Sequence, residues 1–105
     1  MNQKKWDAYI YGDVNIDLVV PGVEHFPAPG QEDEVDTMET FVGGGAALFT
    51  LGLGKLGLHP VFQGEVGDDC YGDLIAREFA AKNVDCSLLQ KSSTGKTGIS
   101  ISFTN

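Results

Sequence analysis

Three consecutive glycines, Gly43-Gly44-Gly45, stand near the middle of the chain between two segments of opposite character. Before them, Val35 to Val42 alternates loosely, with Met38, Thr40 and Val42 on one side, and reads as a half-exposed strand. After them, Ala46 to Leu56 is built of apolar residues and helix formers, and Gly57 suits a C-terminal stop. Glycine here lets the backbone turn between the two through conformations closed to other residues. It also lets a ligand approach a helix start, where backbone N–H groups are free. A flexible joint with no ligand would use the same residues. The triplet is a poor dinucleotide fingerprint, because Leu48 stands where a third glycine belongs and the preceding strand contains Glu39 and Thr40.

The flanking segments give the element order. Ala8-Tyr9-Ile10-Tyr11 is a short strand ending at Gly12, and Ile16 to Val20 is a β-branched run stopped by Pro21-Gly22. Glu24 to Gln31, with Pro27, Pro29 and Gly30, is a loop. Pro60 to Val66 reads as a strand, and residues from about Cys70 to Lys82 carry Leu74, Ile75, Phe79 and Ala80 at helical spacing, ending at Asn83. Asp68 and Asp69 are placed to cap that helix. Ser87 to Gln90 is extended and Lys91 to Gly95 a polar loop. Ile99, Ile101 and Phe103 alternate with Ser100, Ser102 and Thr104, which predicts a half-buried strand. Strands alternating with helices point to an α/β unit with a parallel sheet, and the amphipathic strands outside that alternation need a small sheet of their own with one wet face. Gly52 and Gly54 weaken the first helix and are expected to serve close packing.

Composition narrows the function classes. The net charge is −8, from 15 acidic and 7 basic residues, which argues against nucleic acid and against an anionic membrane surface as partners. Cys70 and Cys86 form no CxxC pair and have no neighbouring histidine, so no zinc site is expected. The first residues contain no apolar signal region, and the cytoplasm is the expected location. A chain of 105 residues buries only a modest share of its unfolded surface, so its stability on its own is expected to be marginal.

Two motifs carry candidate chemistry. Gly12-Asp13-Val14-Asn15-Ile16-Asp17 follows a buried strand, and Asn15 and Asp17 lie two residues apart at a strand's carboxyl end. Ligands of open α/β sheets bind in such crevices, and neighbouring sugar hydroxyls suit a carboxylate acceptor beside an amide. The alternative is a turn in which both side chains cap local backbone. Gly95-Lys96-Thr97 imitates the end of a phosphate-binding loop, but Gln90 occupies the position of its first glycine and a strand, not a helix, follows; it is assigned to a loop. His25 and His59 lie beside turn residues and are expected at the surface.

In order along the chain, Gly12 to Asp17, Phe26-Pro27-Ala28-Pro29-Gly30, Val42 to Ala47 running into Leu53-Gly54-Lys55-Leu56-Gly57, Gly64 to Gly72, and Thr97-Gly98-Ile99 together resemble the N-terminal part of the PfkB/ribokinase family of carbohydrate kinases, from about Trp6 to Asn105. The resemblance implies an α/β fold, a ribokinase-like doubly wound sheet left incomplete here, with a small β-sheet lid. Its lid strands would be roughly Ile16–Val20, Glu34–Phe41 and Gly98–Thr104. The lid would take segments of about 13–41 and 98–105, and the core about 6–12 and 42–92. It implies sugar binding by Asn15 and Asp17, with Gly43, Gly44 and Gly45 lining the same site. It implies ATP-dependent phosphorylation of a sugar or nucleoside hydroxyl with Mg2+, and a possible homodimer through the lid. The family's second signature, which supplies the catalytic base and the ATP site, is not in these residues. Catalytic residues are therefore expected beyond residue 105, no ATP, Mg2+ or other metal ligands are expected within the chain, and the isolated chain is expected to be inactive. Leu48 departs from the asparagine usual at its position, so the sugar is left unnamed. The competing expectations are a non-catalytic sugar- or protein-binding remnant of this fold and an unrelated nucleotide-binding α/β domain.

Overall fold

A computed structural model describes residues 5–105. Its elements run β1 (Ala8–Tyr11), β2 (Asn15–Val20), β3 (Glu39–Gly43), α1 (Gly45–Lys55), β4 (Pro60–Gly67), α2 (Cys70–Ala81), β5 (Leu89–Ser92) and β6 (Ile99–Phe103). They form two three-stranded sheets. The core sheet has the order β1-β4-β5, with both pairings parallel. The outer sheet has the order β3-β2-β6, with β3 antiparallel and β6 parallel to the central β2. This is a mixed α/β fold, and the parallel core expected from the alternation of strands and helices is present.

Both helices lie against β4. α2 buries Ile75 and Phe79, and the Phe79 ring tilts against Phe62 with centroids 5.0 Å apart. Ile16, Leu18 and Val42 of the outer sheet join the same cluster as Phe62, Val66, Ile75 and Phe79, so one core serves both sheets. On the opposite face of the core sheet, Tyr9 and Tyr11 lie 56% and 73% exposed beside a fully buried Val61. The radius of gyration is 16.7 Å, against about 13 Å for a compact domain of ~100 residues, because the outer sheet and the segment 21–38 project from the core. Among the described residues, no helix is long and apolar enough to cross a membrane.

Three local expectations are corrected. The strand expected over Val35–Val42, or Glu34–Phe41, begins only at Glu39. Pairing with β2 runs out at Val19↔Glu39, just before Pro21, and the acidic run Glu32-Asp33-Glu34 with Asp36 has little strand propensity and repels itself. β5 extends to Ser92, into the expected loop, because it pairs with β4 through Gly67↔Ser92. β6 is where it was expected but is not half-buried: Ile99, Ile101 and Phe103 are 47%, 55% and 50% exposed, since β6 is an edge strand with an open face.

Of the two glycines inside α1, only Gly54 is crowded. A side chain there would run into the Lys82 carbonyl oxygen at the end of α2, whereas one at Gly52 would meet nothing within 4 Å. Gly52→Ala should therefore stabilise the fold by roughly 0.5–1 kcal/mol through helix propensity. Gly54→Ala should destabilise it despite the same propensity gain. Thermal denaturation of the two variants, side by side, checks the opposite signs.

Candidate functional site

β2 starts the site. Ile16, Leu18 and Val20 point to the buried side, so the period of two sends Asn15, Asp17 and Val19 to the other face. The register sets Asn15 opposite Gly43, and Asp17 between Phe41 on β3 and Ser100 on β6. The Asn15 amide Nδ2 donates to Asp17 Oδ1 at 2.7 Å, which orients both side chains. Both are half-buried.

The glycine turn packs directly against this pair. A Cβ on Gly43 would collide with the Asp17 carboxylate. Gly44 has φ 98°, in the region that favours glycine, and a Cβ there would lie 2.9 Å from the Asp13 carbonyl oxygen and 3.1 Å from Asn15 Oδ1. Gly45, the first residue of α1, faces open space. The structure thus brings Asn15, Asp17, Gly43 and Gly44 into contact, with Gly45 beside them at the helix start. Leu48 lies in the first turn of α1 and is 55% exposed.

Asp13 was not singled out in the sequence beyond its motif, yet it joins the site. α1 has no side-chain cap from Gly44 and no acidic residue in its first turn. Instead Asp13 Oδ1 accepts from the Ala46 N–H at 3.3 Å, a carboxylate brought from a distant loop to the positive end of the helix. The signal for it was the strand end itself, which delivers residues after β1 to the crevice where β1 and β4 part company. A depression of about 420 Å³ lies there, lined by Tyr11, Gly12, Asp13, Gln63, Glu65 and Gln90 among others. A larger one, about 580 Å³, lies between the 21–36 segment and Phe103, and neither depression is lined by Asn15, Asp17 or the glycine turn.

Gly95-Lys96-Thr97 is a loop, as expected, but Thr97 is buried. Its backbone N–H donates to Asp69 Oδ2 at 2.9 Å and its hydroxyl to Asp69 Oδ1 at 2.6 Å. Asp69 also caps α2, accepting from the Gly72 N–H at 2.8 Å. The Thr97 hydroxyl, then the N–H groups of Thr97 and Gly72, hold the Asp69 carboxyl down from 3.8 to about 2. His25 is exposed, but His59 is half-buried, with Nδ1 2.6 Å from the Asn83 carbonyl oxygen. Among the described residues, no three His, Cys, Asp or Glu side chains are grouped to hold a metal ion.

With this geometry established, relatives place the chain. The model of the pfkB family carbohydrate kinases matches residues 7–105, and the chain belongs to that family. It is similar to 5-dehydro-2-deoxygluconokinase of Lacticaseibacillus casei, 35% identical over 72 residues, covering 69% of this chain and 22% of the relative. The same enzyme of Clostridium perfringens is 28% identical over 102 residues, covering 97% of this chain and 28% of the relative. The structure of Arabidopsis thaliana ribokinase complexed with ribose and ATP superposes with a TM-score of 0.84 at 26% identity, over 91% of this chain and 31% of that one. A sugar kinase from Pyrococcus horikoshii in complex with ATP gives 0.73 at 28% identity, over 90% of this chain and 29% of that one. The chain spans about a quarter of the length of the curated relatives it matches. The fold is ribokinase-like.

A pH prediction follows from two carboxylates. Asp85, hydrogen-bonded first by the Trp6 indole N–H and then by Ser87, is also held down from 3.8 to about 2. For both Asp69 and Asp85 the folded value lies below the unfolded one, so their contribution is complete above about pH 4 and is lost as pH falls toward 2. Trp6 is the single tryptophan and sits 2.8 Å from Asp85 Oδ2, so its fluorescence reports this step. It should change with a midpoint near 2, and a midpoint near 4 in the folded protein would contradict the assignment.

Proposed function

We propose that this chain is the N-terminal, substrate-binding part of an ATP-dependent sugar or nucleoside kinase that transfers the γ-phosphate to a sugar hydroxyl. The observation that carries the reading is the contact between the oriented Asn15–Asp17 pair and the Gly43–Gly44 turn. A carboxylate accepts hydrogen bonds from ring hydroxyls, and an amide donates or accepts. Glycines that cannot grow a side chain keep the backbone available beside them. Asn15 and Asp17 would bind neighbouring hydroxyls, Gly43, Gly44 and Gly45 would line the same site, and the outer sheet would serve as its lid.

The described residues do not fit ATP or Mg2+. The P-loop-like Gly95-Lys96-Thr97 engages its hydroxyl with Asp69, and the carboxylates form no metal-binding group. The catalytic base, the nucleotide site and the metal ligands would lie beyond residue 105, and residues 1–105 alone would be inactive. What these residues contribute is positioning, the larger part of catalysis in phosphoryl transfer. A cytoplasmic location, where ATP is made, suits the reading.

The named relatives make 5-dehydro-2-deoxygluconate the first substrate to test. Asp13 and Asp17 suit neutral hydroxyls, so the carboxylate of a sugar acid would need a cation from elsewhere. Ribose and hexoses therefore belong in the same panel. In the complete protein that carries this chain, Asp17→Ala or Asn15→Ala should raise KM for the sugar by about 10- to 100-fold, the worth of one hydrogen bond involving a charged group. KM for ATP should stay unchanged. Steady-state kinetics on the panel decide it, and unchanged sugar KM values in both variants would remove these residues from the site.

The outer sheet also supports a homodimer through the lid. Ile99, Ile101 and Phe103 form an exposed apolar row, and Phe26 stacks edge-on against Phe103 at 5.2 Å. Ile101→Glu places a charge in that row and should convert a dimer to monomer in sedimentation or light scattering, with far-UV circular dichroism unchanged.

A further inference from the structure

The outer sheet joins the core at three points. β1 leads into β2 through Gly12–Val14, β3 into α1 through the glycine turn, and β5 into β6 through residues 93–98. The first two crossings are short and carry site residues. The third is a loop, and β6 beyond it is exposed along its whole length. Thr97 is the exception, 5% exposed at the point where the loop becomes strand.

Everything around Thr97 is shaped to receive it. Its N–H and hydroxyl donate to the two oxygens of Asp69, and its hydroxyl oxygen accepts from the Gly67 N–H at 2.9 Å. Thr97 thereby bonds at once to the end of β4 and to the cap of α2. Gly67 and Gly72 leave the room: a side chain on Gly67 would collide with the Asp69 carboxylate, and one on Gly72 would lie 3.3 Å from Thr97 Oγ1. One residue on, the Gly98 carbonyl oxygen accepts from the Ile16 N–H at 2.9 Å, and β6 then pairs with β2 from Ile16↔Ile99 onward. The path from α2 to Asn15 and Asp17 is thus continuous: Asp69, Thr97, Gly98, Ile16. The strongly lowered Asp69 titration agrees with a carboxylate that stays charged and bonded at working pH.

We propose that the Asp69–Thr97 pair is the joint that fixes the outer sheet to the core and so positions Asn15 and Asp17 over the substrate. Its consequence for catalysis rests on the sugar-kinase reading above, but the joint itself does not. These are positioning residues, since neither belongs to the Asn15–Asp17–glycine cluster.

The test uses Thr97→Val, Thr97→Ser and Asp69→Asn in the complete protein. Valine keeps the volume and the backbone N–H but loses the hydroxyl. Serine keeps the hydroxyl. Asparagine keeps an oxygen for the α2 cap, where it serves as well as aspartate, but offers an amide in place of the second acceptor. Amide hydrogen exchange is measured without ligand, and KM for the phosphorylated sugar and for ATP alongside. In Thr97→Val and Asp69→Asn, exchange in β2 and β6 should quicken by about tenfold or more while β4 and α2 keep their protection. The sugar KM should rise about tenfold at constant ATP KM, and Thr97→Ser should behave as the parent. Exchange that is unchanged, or that rises equally in β4 and α2, overturns the joint, as does a quickened sheet with an unaltered sugar KM. Selective quickening in a protein that phosphorylates no sugar upholds the joint and removes the sugar-kinase reading instead. If Thr97→Val does not fold, Asp69→Asn, whose cap is intact, decides alone.

Discussion

Ile16 is fully buried although it belongs to the outer sheet, and it packs in the same cluster as Phe62 and Phe79. Its burial, with that of Leu18 and Val20, fixes which way β2 faces. Side chains alternate across a strand, so a slip of one residue would turn Ile16 outward and Asp17 into the apolar core. Burying an unpaired carboxylate costs several kcal/mol, while exposing a buried isoleucine forfeits about 1.5–3 kcal/mol. The two penalties act together against the wrong register. The orientation of Asn15 and Asp17 is therefore set from the apolar side of the strand.

The same strand makes the polar side work. β2 is central in its sheet, so Asp17 has a neighbour on each flank, Phe41 and Ser100. The glycine turn closes in only because it lacks side chains. At Gly43 the Asp17 carboxylate takes up the space a Cβ would need, and at Gly44 the positive φ turns the chain away from β3 into α1. α1 begins without a cap of its own and borrows Asp13. Strand, turn and helix start thus share one small volume, and three residues of the hexapeptide Gly12–Asp17 reach into it.

Much of this was legible in the sequence because it rests on local patterns. The β-branched run Ile16–Val20, the glycine triplet and the helical spacing of Ile75 and Phe79 each report a short-range constraint, and each element formed where its pattern stands. Asp69 as a helix cap was legible for the same reason, since its partner Gly72 is three residues away. The start of β3 was not. Met38 continues the alternating pattern of Thr40 and Val42, but a strand also needs a partner, and the partner ends at Val20. Period alone carries no information about where a neighbouring strand stops. The exposure of Ile99, Ile101 and Phe103 was hidden for a related reason: alternation predicts two faces, while burial of either depends on what lies above it.

Thr97 marks the limit most clearly. In the sequence it sits in a polar loop, followed by glycine, and its neighbours suggest a broken phosphate-binding motif and the start of a strand, neither of which calls for burial. Nothing local distinguishes it from Thr94, three residues earlier and exposed. Its burial comes from Asp69, 28 residues away, and from Gly67, 30 residues away. Both partners had complete local explanations of their own, one as a cap and one as a turn. A residue that satisfies two roles at once shows only the nearer one in a linear reading. The second role appears when the fold brings the loop back, and it gives an otherwise exposed edge strand its fixed point on the core.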